Sequence, residues 1–179
     1  MPSLAFPGSA EKKQQSKNAQ LVRRLLAAKL ESLGFAHTKP SFFTRSASYV
    51  IEFVHVHKYT FGPSFRLHLG VRVRSDDFDA AHLNGPCADG IDGGPGDTDL
   101  DRFEFTSAPA DIESCARAMA IYVSTTGTDW FESLKELPTL LAPGSSPLSG
   151  TAMAALMREV ANGSHSAASK QTLHALNAA

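Results

Sequence analysis

The stretch YVIEFVHVHKYTFGPSFRLHLGVRVR, Tyr49 to Arg74, decides the fold. Two runs rich in β-branched and aromatic residues, Tyr49 to Lys58 and Phe65 to Arg74, flank FGPS, where Gly62 and Pro63 turn the chain back. The pattern predicts a hairpin, and the pairing register sorts every side chain onto one of two faces. With Val54 opposite Leu69, one face holds Val50, Val54, Val56, Leu67, Leu69, Val71 and Val73, with Glu52 as the misfit. The other collects Tyr49, Ile51, Phe53, His55, His57, Arg66, His68, Arg72 and Arg74. Shifting by one residue mixes aliphatics with arginines, so the first register is expected. It predicts an aliphatic face for helices and a basic, partly aromatic face opposite.

That register sets His55 and His68 directly across from each other, close enough to share a ligand. A metal would want a third group and a carboxylate or carbonyl behind it. The nearest candidates, Arg66 and Arg72, are cations that repel one, and no H-E-x-x-H motif occurs. The histidines are therefore expected as neutral, hydrogen-bonded residues of a binding face, with no metal and no cofactor. A metal-dependent hydrolase using His55, His57 and His68 is the outlying alternative.

Outward from the hairpin, QLVRRLLAAKLESLGF repeats Leu21, Val22, Leu25, Leu26, Leu30 and Leu33 at helical spacing, and Gly34 supplies a helix stop. SFFTRS predicts a short strand, and Arg102 to Thr106 (RFEFT) a fourth by alternation. Pro109 opens a second helix that TTG, Thr125 to Gly127, should stop. Asp129 with Glu132 should cap a short helix that Pro138 ends. PGSSP then links to TAMAALMREVANG and SKQTLHALNAA, two Ala-rich helices broken at Asn162-Gly163. The expectation is one α+β domain: an N-terminal helix, an antiparallel meander of about four strands, and C-terminal helices packed on one sheet face. Its limits are drawn as a flexible tail at 1–15, the domain at 16–142, and a linker with helical extension at 143–179.

Composition supports a globular chain: 179 residues, 42% hydrophobic and 20% charged. No apolar run approaches the roughly 20 residues that span a bilayer. The opening MPSLAFPGSAEKKQQSK is a poor secretory signal, and Cys87 and Cys115 form neither a disulfide framework nor a zinc-ligand spacing. A cytoplasmic protein with no membrane partner is expected.

The net charge of −1 conceals segregation. Residues 1–75 carry twelve Lys or Arg against Glu11, Glu31 and Glu52; residues 76–101 carry eight aspartates and no base. Those aspartates are Asp76, Asp77, Asp79, Asp89, Asp92, Asp97, Asp99 and Asp101, in a Gly-rich loop expected to be mobile over 76–100. Calcium does not fit: counting from Asp97, positions six and twelve of an EF-hand fall on Arg102 and Ala108. A sharper expectation is that this loop folds over Arg66, Arg72 and Arg74 and masks them.

There is no G-x-S-x-G elbow, Walker A loop or dinucleotide fingerprint. Missing catalytic motifs and opposed charge blocks predict a non-enzymatic protein-interaction domain, since such blocks suit steered association. The alternative is a nucleic-acid-binding protein that stacks bases on Tyr49 and Phe53 and neutralises phosphates with Arg66, Arg72 and Arg74.

One family shares this order of motifs. A helix ending Leu33-Gly34-Phe35, then Phe42-Phe43-x-Arg45, Tyr49-Val50-Ile51-x-Phe53 and Phe65-x-Leu67-x-Leu69-Gly70-Val71, resembles the bacterial domain-of-unknown-function family 4304 over about Gln20 to Leu141. The resemblance implies a small cytoplasmic α+β protein without assigned catalytic residues, and similar small domains are found among toxin-neutralising immunity proteins. The Asp-rich loop and the Ala-rich C-terminal extension depart from that pattern.

Overall fold

The computed structural model describes residues 8–60, 62–88, 103–163 and 167–176 of the chain. The order is α1 (Ala10–Glu31), β1 (Ala36–Lys39), β2 (Phe42–Ser46), β3 (Val50–Lys58), β4 (Phe65–Val73), β5 (Cys87–Ala88), α2 (Pro109–Tyr122), a π-helical turn (Val123–Gly127), α3 (Thr128–Ser133), α4 (Leu137–Leu140), α5 (Gly150–Ala161) and α6 (Lys170–Leu176). The class is α+β. The strands form one antiparallel meander in the order β1-β2-β3-β4-β5.

The central hairpin has the expected register, Val54 against Leu69 and His55 against His68. Its aliphatic face is buried against Val22, Leu26 and Leu30 of α1, Ile112, Cys115 and Met119 of α2, and Leu156 of α5. The misfit Glu52 is answered by its cross-strand partner: Arg45 Nε donates to Glu52 Oε2 at 2.6 Å, and Arg45 Nη1 donates to the Leu33 carbonyl at 2.7 Å. The Arg45 guanidinium lies 4.5 Å from the Phe35 ring centroid, so charge and apolar surface are matched together. Helix α1 ends as expected, with Gly34 at φ +82° turning the chain into β1.

Several expectations are corrected. Ser9 caps α1 through Lys12 N, so residues 10–15 belong to the helix and not to a tail. Of the strand expected at 102–106, the described residues 103–106 form none: Phe103 and Phe105 are buried by alternation, but only a single bridge, Ser64 to Glu104, pairs this described part. The meander is completed instead by β1 and β5. Thr125 to Gly127 does not stop α2; Ser124 and Thr125 hydroxyls donate to the Ile121 carbonyl, and the helix runs through the π turn into α3. Gly127, not Asp129, is the N-cap of α3, and no side chain caps it. Pro138 does not end a helix but sits in the first turn of α4, where a missing N–H costs nothing.

The C-terminal segment is part of the domain. Leu148, Ala152, Ala155 and Leu156 join the main core. The two helices separate at Asn162-Gly163 as the sequence suggests. Helix α6 goes to the opposite sheet face from the other helices: Leu176 packs with Ile51 and Phe53 in a second, smaller core flanked by Phe42, Ala81 and Ala168. Room for the Phe53 ring comes from its cross-strand partner Gly70, where an added Cβ would lie 2.1 Å from Phe53 Cζ.

Candidate functional site

The expected basic sheet face divides into a buried half and an open corner. In the buried half, Phe53 is fully enclosed and Arg72 is 3% exposed. Arg72 Nε donates to Thr172 Oγ1 at 2.7 Å, and its other nitrogens donate to the carbonyls of Asp76, Phe78 and Ala80. Burial pulls its pKa down, against the opposing pull of Asp76, Asp77 and Asp79. Arg72 is therefore an internal clamp that ties β4, the start of the acidic loop and α6 together. Arg74 donates to the carbonyls of Ala47 and Ser48, fastening the turn before β3. Tyr49 packs against the main core and does not join the second face. Four of the expected contact residues, Tyr49, Phe53, Arg72 and Arg74, thus serve the fold.

The acidic loop is corrected in the same way over its described part. Asp76 is buried, accepts from Phe78 N at 3.0 Å, and brings one oxygen to 3.9 Å from Arg72 Nη1. What covers Arg72 is peptide carbonyl and α6, not a blanket of carboxylates. Asp77 and Asp79 are exposed. Residues 84–88 run along β4: the Asn84 amide exchanges two hydrogen bonds with the Val71 backbone, both 3.0 Å, and Gly85 and Pro86 pair with Leu69. This stretch was expected to be loose. Asp89, Asp92, Asp97, Asp99 and Asp101 lie outside the described residues.

The open corner lies where the hairpin turns. His57 is exposed, and His55, His68, Lys58, Tyr59 and Arg66 are half-buried. The His55 ring sits 5.8 Å from His68, 6.3 Å from His57 and 4.6 Å from Phe42, centroid to centroid. Arg66 lies over the Tyr59 ring at 5.2 Å. Helix α1 brings two further cations. Lys12 donates to the Thr60 carbonyl, and Arg23 lies 5.5 Å from the Phe65 ring centroid. Eleven residues are just over three helical turns, so Lys12 and Arg23 share a side of α1.

The charges that shift His55 and Lys58 are all of one sign. Burial, then the charges of His68, His57 and Arg23, push the His55 pKa from 6.5 down to about 4. Lys58 is lowered by burial, then by Lys12 and Arg23. Among the described residues, the charged groups that act on these two are cations or other histidines. Cations with this mutual repulsion are a standing attraction for an anion. Among the described residues, no group of three His, Cys, Asp or Glu is placed to hold a metal ion. The sequence reading found the histidines and Arg66 but missed Lys12, Arg23 and Lys58. The helical spacing of the first two, and the position of Lys58 next to His57, were the available signals. It also missed Cys87, which pairs with His68 at the sheet edge and is exposed.

Comparison of the chain with protein-family models, with curated proteins and with solved structures finds no match. Among the described residues no helix is long and apolar enough to cross a membrane.

Proposed function

We propose that this is a non-enzymatic, cytoplasmic protein-interaction domain that docks an acidic partner on the corner formed by Lys12, Arg23, His57, Lys58 and Arg66, and that the partner is a bacterial toxin held inactive, an immunity-type role. The observation that carries the reading is the gathering of cations at the hairpin turn, where Lys12 donates to the Thr60 carbonyl, Lys58 to those of Tyr59 and Gly62, and Arg66 lies over the Tyr59 ring, with Lys12 and Arg23 repelling the Lys58 charge. An acidic surface would relieve that repulsion on contact and would be steered there from a distance. The motifs shared with family 4304 speak to a different question. Phe43, Phe53, Phe65, Leu67 and Leu69 are fully buried, so that resemblance is carried by residues that build the core.

A polynucleotide is the weaker occupant. The stacking mode on the sheet face requires Phe53 and Arg72, and both are enclosed. The test is co-expression with the product of a toxin gene adjacent to this one. Wild-type protein should neutralise toxicity, and Lys58→Glu with Arg66→Glu should abolish neutralisation while leaving the far-ultraviolet spectrum unchanged. Neutralisation unaffected by the double charge reversal would contradict the assignment of the corner.

A further inference from the structure

A cleft of 440 Å³ lies at the other end of β3, where the β2–β3 turn meets the end of α3, and its size is within the range of small-molecule sites. Its floor is buried: Val50, Leu134 and Glu52, the last only 4% exposed. Half-buried Arg45 and Tyr49 form its walls, and exposed Glu132, Lys135 and Glu136 stand at its rim. The Arg45 guanidinium lies 5.7 Å from the Phe131 ring centroid, so β2 and α3 meet here. Arg74, through its bonds to the Ala47 and Ser48 carbonyls, fastens the turn.

Glu52 stands in this cleft with one oxygen unused. Arg45 Nε and Nη2 both reach Oε2, each at 2.6 Å, whereas Oε1 accepts no hydrogen bond from a described residue and is not sealed from solvent. A buried ion pair on an otherwise aliphatic face is costly to desolvate and adds little net stability, so a carboxylate held there with an oxygen open to a cavity marks a binding position. An ionised carboxylate only accepts hydrogen bonds, so its ligand is a donor. Among the lining residues two cations, Arg45 and Lys135, face three carboxylates, Glu52, Glu132 and Glu136, which leaves one negative charge in surplus. Lys135 is paired with Glu132 at 2.5 Å, and Glu136, at the start of α4, makes no side-chain cap bond.

We propose that this cleft binds a small organic amine in its ammonium form. The ammonium N–H groups donate to Glu52 Oε1, Glu136 supplies the balancing charge, and an aliphatic or aromatic body rests on Val50, Leu134 and the Tyr49 ring. A cation close to that ring gains a further attraction from its π face. The cleft and the docking corner lie at opposite ends of β3, and neither claim depends on the other.

The experiment titrates the full chain with phenethylamine at neutral pH, followed by calorimetry and by amide and side-chain resonance shifts. Saturable one-to-one binding is expected, with the largest shifts at Tyr49, Glu52 and Leu134. Phenethyl alcohol, which keeps the body and loses the charge, should bind roughly tenfold more weakly or worse, and phenylacetate should not bind. Glu52→Gln should lower the affinity for phenethylamine by roughly tenfold or more. That change leaves Arg45 opposite a neutral side chain and can disturb the fold, so Glu136→Gln is the second variant. Glu136 is exposed, and its replacement should weaken binding measurably while leaving the urea midpoint unchanged. Absence of saturable phenethylamine binding, equal binding of phenethyl alcohol, or affinity unchanged by both variants would overturn the inference. Tighter binding of Nα-acetyllysinamide than of phenethylamine would overturn the small-molecule assignment in favour of a lysine side chain of a partner.

Discussion

At the scale of single residues, the fate of the arginines separates structure from function. Arg45 and Arg72 are spent inside the protein, the first on Glu52 and the second on three carbonyls and Thr172. Nothing in the hairpin pattern distinguishes Arg72 from Arg66, because both alternate onto the same face. The difference comes from α6 and the 76–80 segment, which fold over one and not the other. His55 supplies a residue-scale prediction. Its pKa is about 4 in the folded protein, below the 6.5 of an unperturbed histidine, so the unfolded chain takes up the proton first as pH falls. Stability should therefore decline between pH 6.5 and about 4. Because the ring is only partly enclosed, solvent screening makes the loss smaller than the full shift implies. His55→Asn should flatten that decline, read as the urea midpoint across the same window. An equally steep decline in the variant would place the acid sensitivity elsewhere.

At the scale of elements, the reading of the hairpin from sequence was correct down to the residue pair, because a face that is aliphatic but for Glu52 tolerates only one register. The second half of helix α1, from Gln20, and the break between α5 and α6 were legible from period and from Asn162-Gly163, whereas the first turns of α1 read as a tail. The failures share a cause. RFEFT alternates correctly, but its neighbours allow it only one bridge. Proline and TTG were read as stops, yet helix capping and continuation depend on which carbonyls the hydroxyls of Ser124 and Thr125 can reach. Where α6 packs was the costliest miss: a short Ala-rich helix carries little hydrophobic signal, yet Leu176 is fully buried against Ile51 and Phe53. Leu176→Ala should cost about 2 kcal/mol in urea unfolding, at the low end for a buried leucine because a terminal helix can shift to fill the space. Leu173→Ala, on the exposed side of the same helix, should be nearly neutral. Equal effects from the two would mean that α6 does not seal the second face.

At the scale of the whole molecule, the opposed charge blocks are partly internal bookkeeping and partly surface. Arg45, Arg72 and Arg74 are used to fasten turns and strands, while Lys12, Lys58 and Arg66 stay at the hairpin corner beside His57. The proposed docking surface is therefore smaller than the sheet face and displaced to one end of it, where α1 and the β3–β4 turn meet. This is also why the candidate site was only half legible: a corner assembled from α1 and a hairpin turn has no single motif. A salt-dependent association is expected, since charges at such a corner are partly exposed and screened within about 10 Å at ordinary ionic strength. The most direct measurement is a map of amide and side-chain resonance shifts during titration with polyglutamate at low salt. The largest changes should fall on Lys12, His57, Lys58, Tyr59 and Arg66 and should fade as salt is added. Largest changes at Ser46 to Tyr49 and Glu132 to Glu136, or shifts insensitive to salt, would contradict the assignment of the corner as the docking surface.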